Sequence, residues 1–158
     1  MKYLPINSQL FIKNRGLFIN QLSINSTAVF NANDIMPTNA DGTMPFRQNN
    51  DFFWLSGVDQ EESILVISPQ HPDKNMREVL FLKETNQHIA IWEGAKLSKE
   101  EAFKTSGIKT VFWTSQFESK FKEIISKTED LYLNKNIHSR SASDVQTRDD
   151  RFRIMVSN

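Results

Sequence analysis

Short apolar runs separated by polar, turn-forming segments recur along most of the chain, which is the pattern of successive strands in a sheet. The predicted strands cover residues 27–30, 52–55, 63–67, 78–82, 88–92, 110–113 and 130–133. The hairpin-like spacing between residues 52 and 92 favours antiparallel pairing there. We therefore expect a sheet as the central element of the fold.

Helical periodicity replaces this pattern in other segments. Phe11, Phe18 and Leu22 share one face of a predicted helix over 8–22, with Ser8 as its expected N-cap. A second amphipathic helix is predicted around residue 120, where apolar residues follow the i, i+4, i+7, i+8 pattern. Its apolar positions are 117, 121, 124 and 125.

Sequences of the capping-box type indicate where helices begin. They start at Ser98 and Ser115, and the helix opened by Ser98 is expected to end at Gly107. Thr147 is expected to cap a short helix that carries Phe152 and Met155. Strands and helices alternate from residue 88 to 133, which implies parallel pairing with helices covering the sheet. The sequence thus predicts one α/β domain over 1–158, with a mixed β-sheet flanked by helices. Residues 31–50 form a long aperiodic segment of the kind that often carries function.

Composition narrows the possible classes of protein. The chain has 158 residues, no cysteine, and 19 basic against 19 acidic residues. A net charge of zero argues against a general binder of nucleic acid or anionic lipid, and the missing cysteines exclude disulfides, thiolate nucleophiles and cysteine-ligated zinc. No apolar run approaches the roughly 20 residues of a membrane span, and the first residues lack a signal-peptide core. We expect a cytoplasmic protein.

Few residues suggest catalysis. His71, His88 and His138 are the only histidines, and none has the spacing of a recognised metal motif. Four carboxylates cluster between residues 51 and 62, but an acidic turn between strands is usually solvated. Neither a Gly-x-x-x-x-Gly-Lys-Ser/Thr loop nor a Gly-x-Gly-x-x-Gly loop is present, which argues against a nucleotide site.

One segment combines long polar side chains with an apolar run. It reads Phe-Arg-Gln-Asn-Asn-Asp-Phe-Phe-Trp-Leu-Ser-Gly-Val over 46–58. Taken alone, these residues favour a structural interpretation, in which Arg47 and Asp51 order the long loop before them.

This segment resembles the Tyr-Arg-Gln-Asn-x-Asp-Phe-x-Tyr-Leu-Thr-Gly signature of the N-terminal domain of Xaa-Pro aminopeptidases, in the creatinase and prolidase superfamily. Three later blocks resemble the same family in the same order: 62–67, the Trp-Glu-Gly-Ala-Lys-Leu block within 90–97, and Thr-Arg-Asp-Asp-Arg-Phe over 147–152. Phe46 stands where the family commonly has Tyr, Ser56 where it has Thr, and the aromatic order at Phe53 and Trp54 differs.

The resemblance implies a ribonuclease-H-like fold and a non-catalytic role. In that family a C-terminal pita-bread domain performs hydrolysis, and two Asp, one His and two Glu hold two divalent metal ions there, usually manganese. Such a metal pair activates a hydroxide and polarises the scissile carbonyl. We therefore expect this chain to hold no cofactor, and the parent protein to be a metalloprotease that removes an N-terminal residue preceding proline.

The resemblance also implies site residues and partners. Trp92 is expected at a subunit interface, where it reaches the substrate pocket of a neighbouring subunit, and Arg47, Gln48 and Asp51 are expected to hold the long loop against the catalytic domain. The implied partners are that catalytic domain, further copies in a homo-oligomer, and a peptide with penultimate proline.

Two other functions remain open from the sequence. The first is a free-standing α/β binding or dimerisation module that has lost the peptidase. The second is a nuclease, as the ribonuclease-H-like topology suggests, but a two-metal nuclease needs several carboxylates at strand ends. The predicted strands 63–67, 78–82 and 110–113 contain a single acid, Glu78.

Overall fold

A computed structural model describes residues 4–86, 94–136 and 146–157, which form a five-stranded mixed sheet and five α-helices. The helices are α1 (Ser8–Ile19), α2 (Asn50–Ser56), α3 (Lys99–Ser106), α4 (Phe117–Ile125) and α5 (Arg148–Ser157). The strands are β1 (Ser26–Asn31), β2 (Ile64–Ile67), β3 (Glu78–Leu82), β4 (Thr110–Trp113) and β5 (Asp130–Leu133). Short 3-10 helices cover Lys74–Met76 and Thr114–Gln116. None of the helices described is long and apolar enough to cross a membrane.

The strand order is β4-β3-β2-β1-β5. β2 pairs antiparallel with both β1 and β3, whereas β4 and β5 pair parallel with β3 and β1 at the two edges. All strands except β2 therefore run in one direction. The predicted mixed sheet is confirmed, as are the bounds predicted for β3, β4 and β5.

The two faces of the sheet bury separate apolar clusters. In β2, Leu65 and Ile67 face one cluster while Ile64 and Val66 face the other, because successive side chains of a strand point to opposite faces. Helices α1, α2 and α3 cover the first cluster, and α4 and α5 cover the second. The fold is thus a helix–sheet–helix sandwich.

The strand predicted over 52–55 is wrong, because these residues form helix α2. Asn49 caps the helix by accepting hydrogen bonds from the N–H groups of Asp51 and Phe52, and Gly57 ends it at φ +70°. The buried residues are Phe52, Leu55 and Ser56, which is the i, i+3, i+4 spacing of a helix face. A short apolar run is compatible with either element, and the flanking residues decide here.

Other helix ends differ in detail from the prediction. Asn7, not Ser8, caps α1, and the box predicted at Ser115 does not form because a 3-10 turn precedes α4. The capping boxes opened by Ser98 and Thr147 are present, and Gly107 ends α3 as predicted. The strand predicted over 88–92 lies outside the described residues.

Helices α2 and α3 end in the same way. In each, a serine hydroxyl donates to the carbonyl four residues earlier, with distances of 2.7 Å for both Ser56 and Ser106. A left-handed glycine follows, at Gly57 and Gly107. A side chain at either glycine would collide with α1, because a Cβ at Gly57 would lie 2.2 Å from the Phe11 ring. The two glycines let α1 lie directly across both helix ends.

Arg15 joins these helix ends from α1. Its side chain is 1% exposed, and Nη1 donates to the carbonyl oxygens of Leu55 at 2.8 Å and Ser106 at 3.0 Å. Its Nε donates to Glu78 Oε2 at 2.9 Å at the start of β3. The buried charge therefore meets two last-turn carbonyls, where helix dipoles are negative, and one carboxylate.

Arg15→Lys should lower the free energy of unfolding by about 2–4 kcal/mol, because a single ammonium cannot reproduce the fork that binds three acceptors. Chemical denaturation measures this loss. Lys13→Met, at an exposed position on the same helix, should change stability by less than about 0.5 kcal/mol. Equal effects of the two substitutions would show that Arg15 does not organise this face.

Candidate functional site

An open polar cleft lies at the edge of the sheet where the parallel strands β1 and β5 end. Its volume is about 560 Å³, and six of its ten lining residues carry amide side chains. We call it the amide cleft and define it by Asn33, Gln48, Asn49, Asn50, Asp51, Asn134, Lys135, Asn136, Thr147 and Asp149. Ligands of open α/β sheets commonly bind outside the carboxyl ends of strands, so this edge is the natural place for a site.

Gln48 orders one wall of the amide cleft through four hydrogen bonds. Its Oε1 accepts from the backbone N–H groups of Asn33 at 3.1 Å and Asn49 at 2.8 Å. Its Nε2 donates to the carbonyls of Val58 at 3.1 Å and Gln60 at 2.9 Å. The side chain therefore connects the end of β1, the start of α2 and the turn after α2, and both ends of its carboxamide are used.

Asp149 orders the other wall of the amide cleft. Its Oδ1 accepts from the backbone N–H of Asn31 at 3.2 Å and from Asn31 Nδ2 at 2.8 Å, and its Oδ2 accepts from Asn134 Nδ2 at 3.1 Å. Asn49 Nδ2 lies 3.5 Å from the same Oδ2. One carboxylate on α5 thus holds the ends of β1 and β5 and the cap of α2.

Burial raises the pKa of the Asp149 carboxyl, because desolvation disfavours the charged form. The hydrogen bonds from Asn31 and Asn134 and the positive charge of Arg153 oppose this shift. The neighbouring Asp150 behaves in the opposite way, since hydrogen bonds from Thr147 lower the pKa of its half-buried carboxyl.

The remaining predicted site residues lie apart from this network or at its margin. Asp51 is exposed at the mouth of the cleft, where its Oδ2 accepts from Asn134 Nδ2 at 3.2 Å. The Arg47 side chain is exposed and bonds to no residue in the described ranges, while its carbonyl accepts from Asn33 Nδ2. Of the predicted set, the structure brings together Gln48 and Asp51, and Trp92 lies outside the described residues.

The acidic cluster found in the sequence does not form a carboxylate pair for acid–base chemistry. Glu61 is buried against Lys96, and Glu62 forms an ion pair with Lys83 at 3.5 Å. Within residues 4–86, 94–136 and 146–157, no group of three or more His, Asp or Glu side chains could hold a metal ion. The described residues therefore do not fit a two-metal site.

Sequence reasoning missed Asp149 as a centre of the cleft. Its partners Asn31 and Asn134 lie 118 and 15 residues away, and no local pattern indicates such contacts. Its place in the Thr-Arg-Asp-Asp-Arg-Phe block is a signal in the sequence that points to Asp149, but the block does not indicate which residues it contacts. The amide side chains of the cleft can donate and accept hydrogen bonds, as a peptide backbone does.

Comparison with known proteins places the chain in a family. Residues 11–132 match the family described as aminopeptidase P, N-terminal domain. The chain is 25% identical to the Xaa-Pro aminopeptidase of Escherichia coli over 127 residues, covering 80% of this chain and 29% of that protein. It is 36% identical to an uncharacterized peptidase of Saccharomyces cerevisiae over 106 residues, covering 66% of this chain and 19% of that protein.

Solved structures agree with these matches. An aminopeptidase P candidate from Bacillus anthracis superposes with a TM-score of 0.83 at 26% identity, over 96% of this chain and 36% of that chain. The Pseudomonas aeruginosa aminopeptidase PepP, at 21% identity, shares the fold with a TM-score of 0.79 over 98% of this chain and 32% of that one. The chain therefore spans about a third or less of the length of these relatives.

Gln48→Glu should lower the free energy of unfolding by about 1–3 kcal/mol, because a carboxylate oxygen would face the Val58 and Gln60 carbonyls in place of a donor. Arg47→Lys, at the preceding exposed position, should leave the melting temperature nearly unchanged. Thermal and urea unfolding of both variants measure the difference. A large loss of stability in Arg47→Lys would mean that the arginine itself orders the loop.

Asp149→Asn should flatten the dependence of stability on pH. Because the folded-state pKa is raised, the protonated form of Asp149 contributes stability that is full below its ordinary pKa of 3.8 and is lost as pH rises through the folded pKa. Asp150→Asn is the matched control with the opposite sign, since a lowered pKa contributes stability that is lost as pH falls. Urea denaturation at a series of pH values measures how each substitution changes the pH dependence of the free energy of unfolding. Changes of the same sign in the two variants would contradict this assignment.

Proposed function

Because this chain belongs to the aminopeptidase P N-terminal domain family, we propose that it is the non-catalytic accessory domain of a larger metal-dependent Xaa-Pro aminopeptidase. The observation that carries the proposal is the family match over residues 11–132 in a chain that covers only 29% of the Escherichia coli relative. We assign the hydrolytic reaction to the part of such a protein that lies outside this domain. The substrate would be a peptide whose second residue is proline.

The metal pair is assigned to the catalytic domain. The described residues offer no group of three ligands, so no catalytic step is attributed to this chain. Two divalent ions, manganese by the family resemblance, would supply a hydroxide and polarise the scissile carbonyl when bound to that domain. This domain would act through positioning.

The surface proposed to meet the catalytic domain is formed by the loop after β1 and by helix α5. Arg151 on α5 forms an ion pair with Asp34, which fixes the loop to the helix. Apolar side chains that follow each partner remain exposed, with Met36 at 43% and Met155 at 59%. Exposed apolar residues on a loop and a helix that an ion pair joins suit a surface that another domain covers.

Gln48 and the neighbouring Arg47 have different roles at this surface. Gln48 is fully used inside the domain, where it shapes the loop, while the Arg47 guanidinium remains available to an acceptor on the catalytic domain. Arg47 offers a planar five-donor fork, which suits a carboxylate or carbonyl partner. Trp92 is proposed to form an apolar wall of the substrate pocket of a neighbouring subunit in a homo-oligomer.

Assay of two proteins tests this function: the 158-residue chain, and the product of its full coding sequence. We expect the chain alone to fold and to release no N-terminal residue from an Xaa-Pro peptide in the presence of Mn²⁺, while the longer product releases it. Activity in the chain alone would overturn the proposal. A coding sequence without a downstream Asp, Asp, His, Glu, Glu set would favour the free-standing binding module instead.

In the longer protein, Arg47→Lys should raise KM or weaken assembly by several-fold while leaving the stability of the isolated chain unchanged. Kinetics and analytical ultracentrifugation give the two readouts. Lys13→Arg, at an exposed position on α1, is the matched control and should change neither. Unchanged kinetics and assembly in Arg47→Lys would remove Arg47 from the domain contact.

A further inference from the structure

A second cleft lies at the opposite edge of the sheet, where β3 and β4 begin. It is open, with a volume of about 410 Å³, and three of its lining residues are cations. We call it the basic cleft and define it by Ile19, Pro69, Lys74, Asn75, Arg77, Glu78, Gly107, Lys109 and Thr110. A cavity of this size is in the range that accommodates a small organic molecule.

The charges around the basic cleft do not balance. Lys74 and Lys109 are exposed and have no ion-pair partner in the part of the chain that is described. Glu78 is the acidic residue of the lining, and Arg15 already engages it through the 2.9 Å contact from Nε. The Arg15–Glu78 pair is therefore neutral, and Lys74, Arg77 and Lys109 leave a local excess of positive charge in a chain whose net charge is zero.

The backbone beneath these cations is held in place. Arg77 donates from Nε to the His71 carbonyl at 2.9 Å, and its own carbonyl accepts from the Ser68 N–H at 2.8 Å. The Nη1 and Nη2 groups of Arg77 bond to no described residue, so the outer part of its fork remains free. Thr110 Oγ1 donates to the Asn75 carbonyl at 2.6 Å, which joins the turn of Lys74 to the strand that follows Lys109. The three cations are thus presented on connected, ordered turns.

The wall of the basic cleft combines polar and apolar surface. Ile19 and Pro69 supply apolar side chains beside the three cations. Arg15 lies behind this wall, because its side chain is 1% exposed and Ile12 Cδ1 of α1 lies 2.6 Å from the place that a Cβ at Gly107 would take. An anionic group can therefore approach the Arg77 guanidinium while a carbon skeleton contacts the apolar wall.

We propose that the basic cleft binds a small organic anion that carries more than one phosphate or carboxylate group. One arginine fork and two ammonium groups match the geometry and charge of such groups. An anion that pairs with all three cations removes the repulsion between like charges gathered at one opening. The site is independent of the proposed peptidase role, since it lies on the opposite edge of the sheet from the amide cleft.

Titration of the full 158-residue chain with two probes tests the site. Inorganic pyrophosphate represents phosphate ligands and citrate represents carboxylate ligands, and isothermal calorimetry with NMR chemical-shift mapping reports affinity and place. We expect at least one probe to bind saturably at low ionic strength, to shift signals of Lys74, Arg77 and Lys109, and to weaken as salt rises. The preferred probe identifies the chemistry of the ligand.

Two double variants distinguish binding at the basic cleft from general electrostatic attraction to lysine side chains. The double variant Lys74→Gln with Lys109→Gln should weaken binding by about tenfold or more without lowering the melting temperature, because both lysines are exposed and unpaired. Lys13→Gln with Lys135→Gln removes the same charge outside the basic cleft and should leave affinity nearly unchanged. Equal losses in the two double variants, no saturable binding of either probe by about 10 mM, or binding of an acidic peptide alone would each overturn the proposal.

Discussion

One buried guanidinium determines how half of this fold is assembled. Arg15 has to be satisfied because an unpaired charge in the interior costs several kcal/mol, and its acceptors come from two helix ends and one strand. Those acceptors can be reached only if α1 lies across the ends of α2 and α3, and that approach is possible only because Gly57 and Gly107 have no side chains. The charge of Arg15, the two glycines and the ends of α2 and α3 therefore together fix how α1 packs on the other two helices.

The strand order assigns different chemistry to the two edges of the sheet. β1, β3, β4 and β5 run in one direction, so their ends gather on one edge and their starts on the other. Amides and the buried Asp149 occupy the first edge, whereas Lys74, Arg77 and Lys109 occupy the second. A domain of this kind can contact a large partner at one edge and keep the other for a small ligand, because neither contact obstructs the other.

Sequence patterns predicted the secondary-structure elements correctly where the local signal is unambiguous. Residues 110–113 form a strand as predicted, because β-branched and aromatic residues between turns favour a strand, and the Ser98 capping box has a fixed local geometry. Residues 52–55 were predicted wrongly because their composition fits either element, and Asn49 and Gly57 decide the outcome. In the site, family resemblance indicated Gln48 and Asp51. The role of Asp149 depends on contacts across the chain, which no local pattern encodes.

The order of synthesis along the chain determines when Arg15 can form its hydrogen bonds. Its charge emerges early, yet the carbonyls that accept its hydrogen bonds lie 40 and 91 residues later, at Leu55 and Ser106. Contacts of such long sequence separation form late, because the intervening chain must first be ordered. Until α3 has emerged, α1 carries a cation that cannot be buried at low cost. The layer of α1, α2 and α3 therefore closes over this face of the sheet only after Ser106, the last of these acceptors, has been synthesised.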